Sequence, residues 1–290
     1  MIKKEGEEKM DYITLNDGNR MPAIGLGTFL MKPEDAEEAV YNAIKAGYRL
    51  LDTANAYMNE RAVGRGFRRS GLAREDVFIE TKLWPTVYTK ETAVDETLER
   101  LGVDYIDLLL LHQPAGDYIT GYKMMEKAVR EGKVRSIGIS NFEGEPLEKI
   151  LAVAEIKPAI IQVEAHPYFP QNELKERVKD IDMHIQAWYP LGHGDPTLQN
   201  QPIFEKLSEK YGKSKAQIIL RWHVQSGNIV IPGSKNPDHI KDNADIFDFE
   251  LTDEEMDEIA KLNNGRRYYE PKEENLIAYA NMQLDPKADY

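Results

Sequence analysis

The 290-residue sequence contains no cysteine. This absence excludes disulfides, thiol catalysis and thiolate metal sites within the chain. An excess of positive charge is also missing: 37 Lys and Arg residues stand against 50 Asp and Glu residues, which gives a formal net charge of -13. Such a surface repels nucleic acid and anionic membranes, so we expect neither as a partner. The lack of cysteine fits a reducing compartment, and we expect a cytoplasmic protein.

Long apolar runs are missing as well. The longest, Ile106–Leu111, is interrupted by Asp107 and is far shorter than the roughly 20 residues of a membrane-spanning helix. Residues 1–10 are charged and lack an apolar segment, so a signal peptide is not predicted. The hydrophobic fraction of 41% is ordinary for a globular protein. Without a linker or low-complexity tract, residues 1–290 are predicted to form a single domain.

A short β-type apolar run followed by an amphipathic helical pattern recurs eight times. The predicted strands lie at 24–27, 49–53, 77–82, 105–111, 135–139, 159–164, 184–188 and 228–231. The predicted helices lie at 33–46, 60–69, 90–101, 122–131, 146–154, 172–179, 202–211 with 216–224, and 239–246. Eight alternations indicate parallel strands joined by crossover helices, and eight such strands can close into an α/β fold of the (β/α)8 TIM barrel type.

A doubly wound open sheet is the alternative fold. It normally has fewer strands and carries a Gly-rich phosphate turn after the first of them. Here the first strand continues as Gly25-Leu26-Gly27-Thr28, which lacks the third glycine and an immediately following helix. The barrel is therefore preferred.

Three segments lie outside the repeat. Residues 12–15 and 21–23, with Asp17-Gly18 between them, predict a β-hairpin that caps the closed bottom of the barrel. Residues 252–262 begin Thr-Asp-Glu-Glu and predict an extra C-terminal helix with a capping box. The tail, residues 265–290, is polar but contains several tyrosines, so it is expected to fold over the surface.

Polar and aromatic residues occur at the carboxyl ends of the predicted strands, where TIM barrels place their active sites. In chain order these residues are Asp52 and Tyr57, Lys82 and Trp84, His112, Ser140 and Asn141, Gln162 and Glu164, Trp188 and Tyr189, and Ser234. Singly, each has a structural interpretation as well, such as a helix cap, a packed aromatic or a surface charge. Their convergence on one rim favours a catalytic site.

Four of these residues make a chemically coherent group. The pKa of a tyrosine is about 10, too high for easy proton donation, and a nearby ammonium such as that of Lys82 lowers it. Asp52 supplies the counter-charge that a partly buried lysine needs. His112 can orient a substrate carbonyl by a hydrogen bond. Tyr57 can then protonate the carbonyl oxygen while a nicotinamide supplies the hydride.

Several long motifs resemble those of the aldo-keto reductase superfamily, in the same order and over nearly the whole chain. They lie at 47–54 with Tyr57 and 59–60, at 80–84, 108–114, 137–142 and 162–168, and at 247–251. The resemblance implies an NAD(P)H-dependent enzyme that reduces aldehydes or ketones to alcohols. It implies that Asp52, Tyr57, Lys82 and His112 are the catalytic residues.

The resemblance also implies the remaining ligand contacts. Ser140, Asn141 and Gln162 hold the nicotinamide carboxamide, and Trp188 stacks on the nicotinamide ring. Backbone groups at Leu191 meet the pyrophosphate, while Ser234 and Asn243 contact the adenosine end. Phe29 and Trp84, with His112, line the pocket for a small carbonyl substrate. No metal site and no obligate protein partner are expected.

One cofactor segment departs from the family pattern. The usual Ile-Pro-Lys-Ser, followed by an arginine, is here Ile231-Pro232-Gly233-Ser234 followed by His239. The two missing cations normally grip the 2′-phosphate of NADPH, and each lost charge-assisted contact is worth roughly 1.5–3 kcal/mol. Lys235 lies nearby and can compensate. We therefore predict NADPH as cofactor, with NADH also accepted. Tyr189 stands where the family commonly has a serine that contacts a phosphate of the cofactor.

Other function classes explain fewer residues. A class I aldolase would use Lys82 as a Schiff base, but Asp52, Tyr57 and His112 would then have no joint purpose. A metal-dependent hydrolase needs clustered histidines and carboxylates, whereas the six histidines are scattered. A non-enzymatic barrel that binds nucleotide and reports redox state to a partner needs no intact catalytic group.

Overall fold

The computed structural model describes residues 10–285, so residues 1–9, where no signal peptide is predicted, and residues 286–290 lie outside the described part. An antiparallel hairpin opens the fold, formed by β1 (Tyr12–Thr14) and β2 (Arg20–Pro22). The hairpin reaches the amino ends of three barrel strands: the Asn19 side chain donates to Ser136 Oγ, the Asn16 side chain donates to the Pro158 carbonyl, and His184 contacts the Thr14 carbonyl. The predicted hairpin cap on the bottom of the barrel is confirmed.

Eight parallel strands follow, and each pairs with its sequence neighbours. They are β3 (Leu26–Gly27), β4 (Leu50–Asp52), β5 (Phe78–Leu83), β6 (Ile106–Leu111), β7 (Val134–Ser140), β8 (Ile160–Glu164), β9 (His184–Trp188) and β10 (Ile229–Val230). A parallel bridge between Ile24 and Val230 brings the last strand back to the first. Gly25 N–H donates to the Val230 carbonyl and Val230 N–H donates to the Ala23 carbonyl, so the sheet closes as the predicted TIM barrel.

Helices connect the strands and follow the last of them. They are α1 (Pro33–Lys45), α2 (Glu60–Ser70), α3 (Ala93–Leu101), α4 (Tyr118–Arg130), α5 (Glu145–Val153), α6 (Asn172–Val178), α7 (Pro196–Gln199), α8 (Pro202–Tyr211), α9 (Lys215–Gln225), α10 (Pro237–Ala244), α11 (Asp253–Ala260) and α12 (Glu273–Asn281). Among residues 10–285, no helix combines the length and apolar character needed to cross a membrane.

Helix ends were the least accurate part of the sequence prediction. Helix α4 begins at Tyr118 rather than 122, because the Asp117 carboxylate accepts from Thr120 N–H and caps the helix there. Helix α10 begins at Pro237, where Asn236 is the cap, and not at 239. The predicted extra helix is α11, whose Thr252 forms a capping box. A second C-terminal helix, α12, was not predicted.

The barrel interior changes from apolar to polar along the strand direction. Near the hairpin, the inward side chains are apolar and include Met21, Leu50, Phe78, Leu108 and Ile160. Two residues further along β4, β5, β8 and β9, the same inward face carries Asp52, Glu80, Gln162 and Gln186, all fully or almost fully buried. The polar residues therefore lie between this apolar layer and the carboxyl-end rim, where the active site is expected.

Candidate active site

A cleft of about 880 Å³ opens at the carboxyl end of the barrel. Most of the residues predicted for the site line it: Phe29, Asp52, Tyr57, Trp84, His112, Ser140, Asn141, Gln162, Trp188, Leu191, Ser234 and Lys235. The volume falls in the range of roughly 300–1,000 Å³ that small-molecule and cofactor sites occupy. The strand ends therefore form one cavity, as the alternating pattern predicted.

At the base of the cleft, Lys82 joins the other catalytic candidates. The side chain is fully buried, and its Nζ contacts Asp52 Oδ1 in a short ion pair. The same ammonium donates to the Thr53 carbonyl at 2.8 Å and lies 3.2 Å from the Tyr57 hydroxyl. Three hydrogen bonds fix the ammonium, so its position relative to the Tyr57 oxygen is set by buried backbone and carboxylate groups.

A short turn after β4 delivers Tyr57 to this position. A 3-10 turn, Asn55–Tyr57, follows the strand, and Met58 then adopts a left-handed backbone conformation with φ of 55°. The next residue, Asn59, is buried and locks the loop: its amide donates to the carbonyls of Thr28 and Met31, and its oxygen accepts from Thr53 Oγ1. The turn is therefore held by the neighbouring β3 loop.

The surroundings shift the pKa values of three catalytic candidates, Tyr57, Lys82 and His112. Burial raises the pKa of Tyr57 to about 12, although the adjacent Lys82 ammonium lowers it. Burial lowers the pKa of Lys82, but Asp52, Tyr57 and Glu80 together outweigh burial, and the pKa is raised overall. Burial and Lys82 both hold the pKa of His112 well below its usual range. The predicted influence of Lys82 on Tyr57 therefore has the expected sign but is smaller than the effect of burial.

His112 is held by ring packing. Its imidazole makes edge contacts with Tyr57 and Trp84, at centroid distances of 5.5 and 5.0 Å. Its Nδ1 and the indole nitrogen of Trp84 are buried atoms that lack a hydrogen-bond partner among the described residues. Both residues line the cleft, so their rings form the wall beside Tyr57.

Hydrogen bonds beside this wall join Gln162 to Asp52 and Trp188 to Asn141. The Gln162 amide donates to Asp52 Oδ1 at 3.0 Å. The Trp188 indole N–H donates to Asn141 Oδ1 at 3.0 Å, while the Asn141 amide donates to the His112 carbonyl and to Ser140 Oγ. Trp188, which is predicted to stack on the nicotinamide ring, therefore also donates a hydrogen bond to Asn141, one of the residues predicted to bind the carboxamide. The sequence did not indicate this bond.

Leu191, Ser234 and Lys235 line the same cleft, but the other two predicted adenosine-end contacts do not. His239 is exposed on α10, and Asn243 is buried on the same helix. At this end the backbone of Gly233 approaches β3 closely: a Cβ on Gly233 would lie 3.0 Å from the Gly27 carbonyl oxygen. The cleft therefore has polar groups at its base, and further along it has Gly233 with Ser234 and Lys235. This elongated arrangement fits a dinucleotide.

Comparison with known proteins agrees with this geometry. The model of the "Aldo/keto reductase family" matches residues 23–264. The chain is 45% identical over 262 residues to the glyoxal reductase of Bacillus subtilis, covering 89% of this chain and 94% of that protein. It is 44% identical over 261 residues to an aldo-keto reductase of Mycolicibacterium smegmatis, covering 88% and 94%. The chain belongs to the aldo/keto reductase family.

A solved structure shares the fold of this aldo/keto reductase. The crystal structure of Bombyx mori aldo-keto reductase in complex with NADP superposes with a TM-score of 0.84 at 35% identity, covering 90% of this chain and 95% of that one. As a member of this family the chain is an oxidoreductase. The aldolase alternative is disfavoured, because the pairing with Asp52 helps to raise the pKa of Lys82, and a protonated amine is a poor nucleophile for a Schiff base.

The C-terminal tail of this aldo/keto reductase contributes cleft residues that the sequence analysis did not identify. Tyr268, Tyr269, Tyr279 and Met282 all line the cleft. Tyr279 packs edge-on against Trp84 at 5.1 Å, and its hydroxyl bonds that of Tyr269 at 2.7 Å. The tyrosine content of the tail was the available signal, but no regular pattern showed which strand ends it would reach.

Glu164 anchors this tail. Its carboxylate accepts the backbone N–H groups of Tyr268 and Tyr269, at 2.6 and 3.0 Å, and contacts His166 Nε2 at 2.9 Å. The residue is fully buried at the end of β8. A carboxylate at this point therefore connects the barrel rim directly to the segment that covers the cleft.

Glu164→Gln is expected to loosen the tail over the cleft. An amide can offer only one oxygen and places N–H groups against backbone N–H groups, so at least one charge-assisted hydrogen bond is lost. We expect the KM for an aldehyde to rise about threefold or more, with a smaller change in kcat. Steady-state kinetics would measure this. Glu143→Gln is the control, because among residues 10–285 Glu143 bonds the tail through the Arg267 side chain and not through its backbone. Equal effects of both variants would contradict the anchoring role.

Proposed function

We propose that this enzyme reduces aldehydes or ketones to alcohols with NAD(P)H, with Tyr57 as the proton donor. The observation that carries the proposal is the buried arrangement at the cleft base: the Tyr57 hydroxyl lies 3.2 Å from Lys82 Nζ, which is itself paired with Asp52. His112, which also lines the cleft, lies against the same tyrosine ring. Together these groups can hold a carbonyl oxygen and supply a proton to it.

The chain's residues have separate roles in this proposal. Tyr57 carries the proton, because its raised pKa keeps the phenol protonated in neutral solution. Lys82 stabilises the phenolate that proton transfer leaves behind, and Asp52 holds Lys82 charged and in place. His112 is neutral because its pKa is lowered, so it can donate one hydrogen bond that orients the substrate carbonyl.

Residues of the chain can also hold a nicotinamide cofactor, whose chemistry would be donation of a hydride. Ser140, Asn141 and Gln162 would bind its carboxamide, and Trp188 would pack against its ring. Leu191, Ser234 and Lys235 would meet the pyrophosphate and the adenosine end. The similar Bombyx mori enzyme was solved with NADP, which supports NADPH as the cofactor.

The substrate end of the cleft favours an uncharged or modestly polar carbonyl compound. Phe29, Trp84, Tyr269, Tyr279 and Met282 line it. Among the described residues, Lys235 is the one Lys or Arg that lines the cleft, and it belongs to the proposed cofactor end. Among the relatives, the glyoxal reductase is named for a small neutral dicarbonyl. We propose neutral aldehydes and dicarbonyls as the substrate class.

The direct test is steady-state reduction of a reactive aromatic aldehyde and of glyoxal, with NADPH and NADH side by side. Turnover of either aldehyde supports the proposed reaction, and comparable efficiency with both cofactors supports relaxed cofactor choice. Tight nucleotide binding without turnover would instead favour a nucleotide-binding subunit that reports to a partner. The absence of both would contradict the proposal.

Cofactor choice is expected to depend on Asp35. Lys235, the candidate replacement for the missing family lysine, pairs with the Asp35 carboxylate at 3.0 Å. Asp35→Asn would free Lys235 for a 2′-phosphate and remove a repelling charge. Because an exposed ion pair is worth up to about 1 kcal/mol, we expect the efficiency ratio of NADPH to NADH to rise up to about fivefold. Glu34→Gln removes the same charge one residue earlier, and an equal shift there would argue for a general charge effect.

The pH dependence should reflect the two shifted pKa values. Tyr57 is in its acid form below about pH 12, and His112 stays neutral because its pKa lies well below 6.5. Neither group changes charge in the neutral range, so the kcat for reduction should be flat between about pH 6 and pH 9. A pH–rate profile in buffers of constant ionic strength would measure this. An inflection near pH 6.5 that disappears in His112→Gln would show that His112 titrates with its ordinary pKa.

A further inference from the structure

One buried carboxyl below the cleft is not used in the proposed reaction. Glu80 lies on β5, directly opposite Asp52 on β4 and two residues before Lys82. Its side chain is fully buried, and its Oε2 has no hydrogen-bond partner within the described part of the chain. Burying a carboxyl group inside a barrel without full hydrogen bonding is energetically unfavourable.

The other oxygen of Glu80 begins a hydrogen-bond chain that ends in the cleft. The Gln186 amide N–H donates to Glu80 Oε1 at 2.6 Å. The Gln162 amide N–H donates in turn to Gln186 Oε1 at 2.9 Å. Each amide donates toward Glu80, so the acceptor oxygen of Glu80 fixes the orientation of Gln186, and Gln186 then offers its own oxygen to Gln162.

This direction determines which atom Gln162 offers to a ligand. Its two N–H groups are both used inside the barrel, one by Gln186 and one by Asp52 Oδ1 at 3.0 Å. The remaining polar atom is the carbonyl oxygen, and Gln162 lines the cleft. Asp52 and the Glu80–Gln186 pair favour the same orientation from two sides, so Gln162 is prepared as a hydrogen-bond acceptor.

Charge balance indicates that Glu80 carries a proton. Among the described residues, this buried layer contains two carboxyls, Asp52 and Glu80, but one ammonium, that of Lys82. Burial, followed by the nearby Asp52 charge, raises the pKa of Glu80 well above its usual range. A neutral acid still accepts from Gln186 through its Oε1, so the chain does not require a second buried charge.

We propose that Glu80 is a positioning residue that, through Gln186, holds Gln162 as an acceptor for the carboxamide N–H of a nicotinamide. The inference rests on the proposed cofactor and goes beyond it, since it assigns a role to a residue that touches neither cofactor nor substrate. It also predicts which part of the cofactor responds when Glu80 changes: the carboxamide alone, and neither the adenosine nor the pyrophosphate end.

The test compares two nucleotides by fluorescence titration of the full-length protein. NADP⁺ has carboxamide N–H groups, whereas its 3-acetylpyridine analogue has a methyl ketone there and cannot donate. In Glu80→Leu the affinity for NADP⁺ is expected to fall about three- to tenfold, the range for one neutral hydrogen bond, while affinity for the analogue stays within about twofold. The preference of the wild-type protein for NADP⁺ over the analogue would shrink accordingly.

Two further variants separate positioning from general damage to the fold. Glu80→Gln keeps an acceptor oxygen toward Gln186 and should restore the wild-type preference. Gln186→Met breaks the chain without changing the carboxyl and should reproduce the effect of Glu80→Leu, which keeps the test available if that variant does not fold. Equal losses for both nucleotides, or an unchanged preference in Gln186→Met, would overturn the role of Glu80. Failure of the wild-type protein to bind either nucleotide would instead contradict the proposed cofactor.

Discussion

Tyr57→Phe should lower the kcat for aldehyde reduction by a factor of about 10² to 10⁴, while the protein still folds and binds nucleotide. The expected range is that of a positioned general acid. The phenyl ring can retain the packing of Tyr57 against Phe29 and His112, at 5.1 and 5.5 Å between centroids. What is lost is the hydroxyl 3.2 Å from Lys82 Nζ, and with it the proton that the carbonyl oxygen must receive.

A matched variant shows whether the loss is specific to that hydroxyl. Tyr279→Phe removes a phenol oxygen from the same cleft, one that bonds Tyr269 and is not among the hydrogen-bond partners of Lys82 in the described residues. We expect its kcat to stay within about threefold of the wild-type value. Steady-state kinetics with saturating aldehyde and nucleotide would compare the two. A Tyr57→Phe enzyme that keeps more than about a tenth of the wild-type rate would contradict the assignment of Tyr57 as proton donor.

The barrel and the base of its cleft could be predicted because both follow from local pattern. The period of strand and helix fixes eight parallel strands, and the polar residue that ends each strand must then lie at one rim. Asp52, Lys82 and His112 are such residues. Tyr57 was also found because the motif around it resembles a family signature, although its position depends on a turn that Asn59 holds from the β3 loop.

What could not be predicted depends on contacts between distant segments. The tail reaches the cleft because Glu164 accepts the N–H groups of residues 268 and 269, about a hundred positions later in the chain. Nothing local to either segment indicates the pairing. The ion pair of Lys235 with Asp35 spans 200 positions in the same way. Glu80 falls within the family-like motif at 80–84, but strand pattern alone does not distinguish a buried carboxyl from an exposed one.

Lys82→Met should lower both the activity and the stability of the enzyme. Methionine is similar in length but carries no charge, so the Asp52 carboxylate would be left buried without its cation, beside Glu80. Breaking a buried pair from one side typically destabilises a protein by about 3–5 kcal/mol. We expect a loss of this size in the free energy of unfolding, measured by urea denaturation, and a kcat too low to measure.

The double variant Asp52→Asn with Lys82→Met distinguishes the two losses. Removing the second charge as well relieves the unpaired carboxylate, and the amide oxygen introduced at position 52 could still accept from the Gln162 amide, which now donates to Asp52 Oδ1 at 3.0 Å. The free energy of unfolding should therefore recover by about 2 kcal/mol or more, whereas activity should not return, because no ammonium remains to stabilise the Tyr57 phenolate. If activity returned together with stability, Lys82 would be a structural residue and the proposed proton transfer would need another source of stabilisation. If neither returned, the destabilisation would come from lost packing around the lysine stem rather than from an unpaired charge.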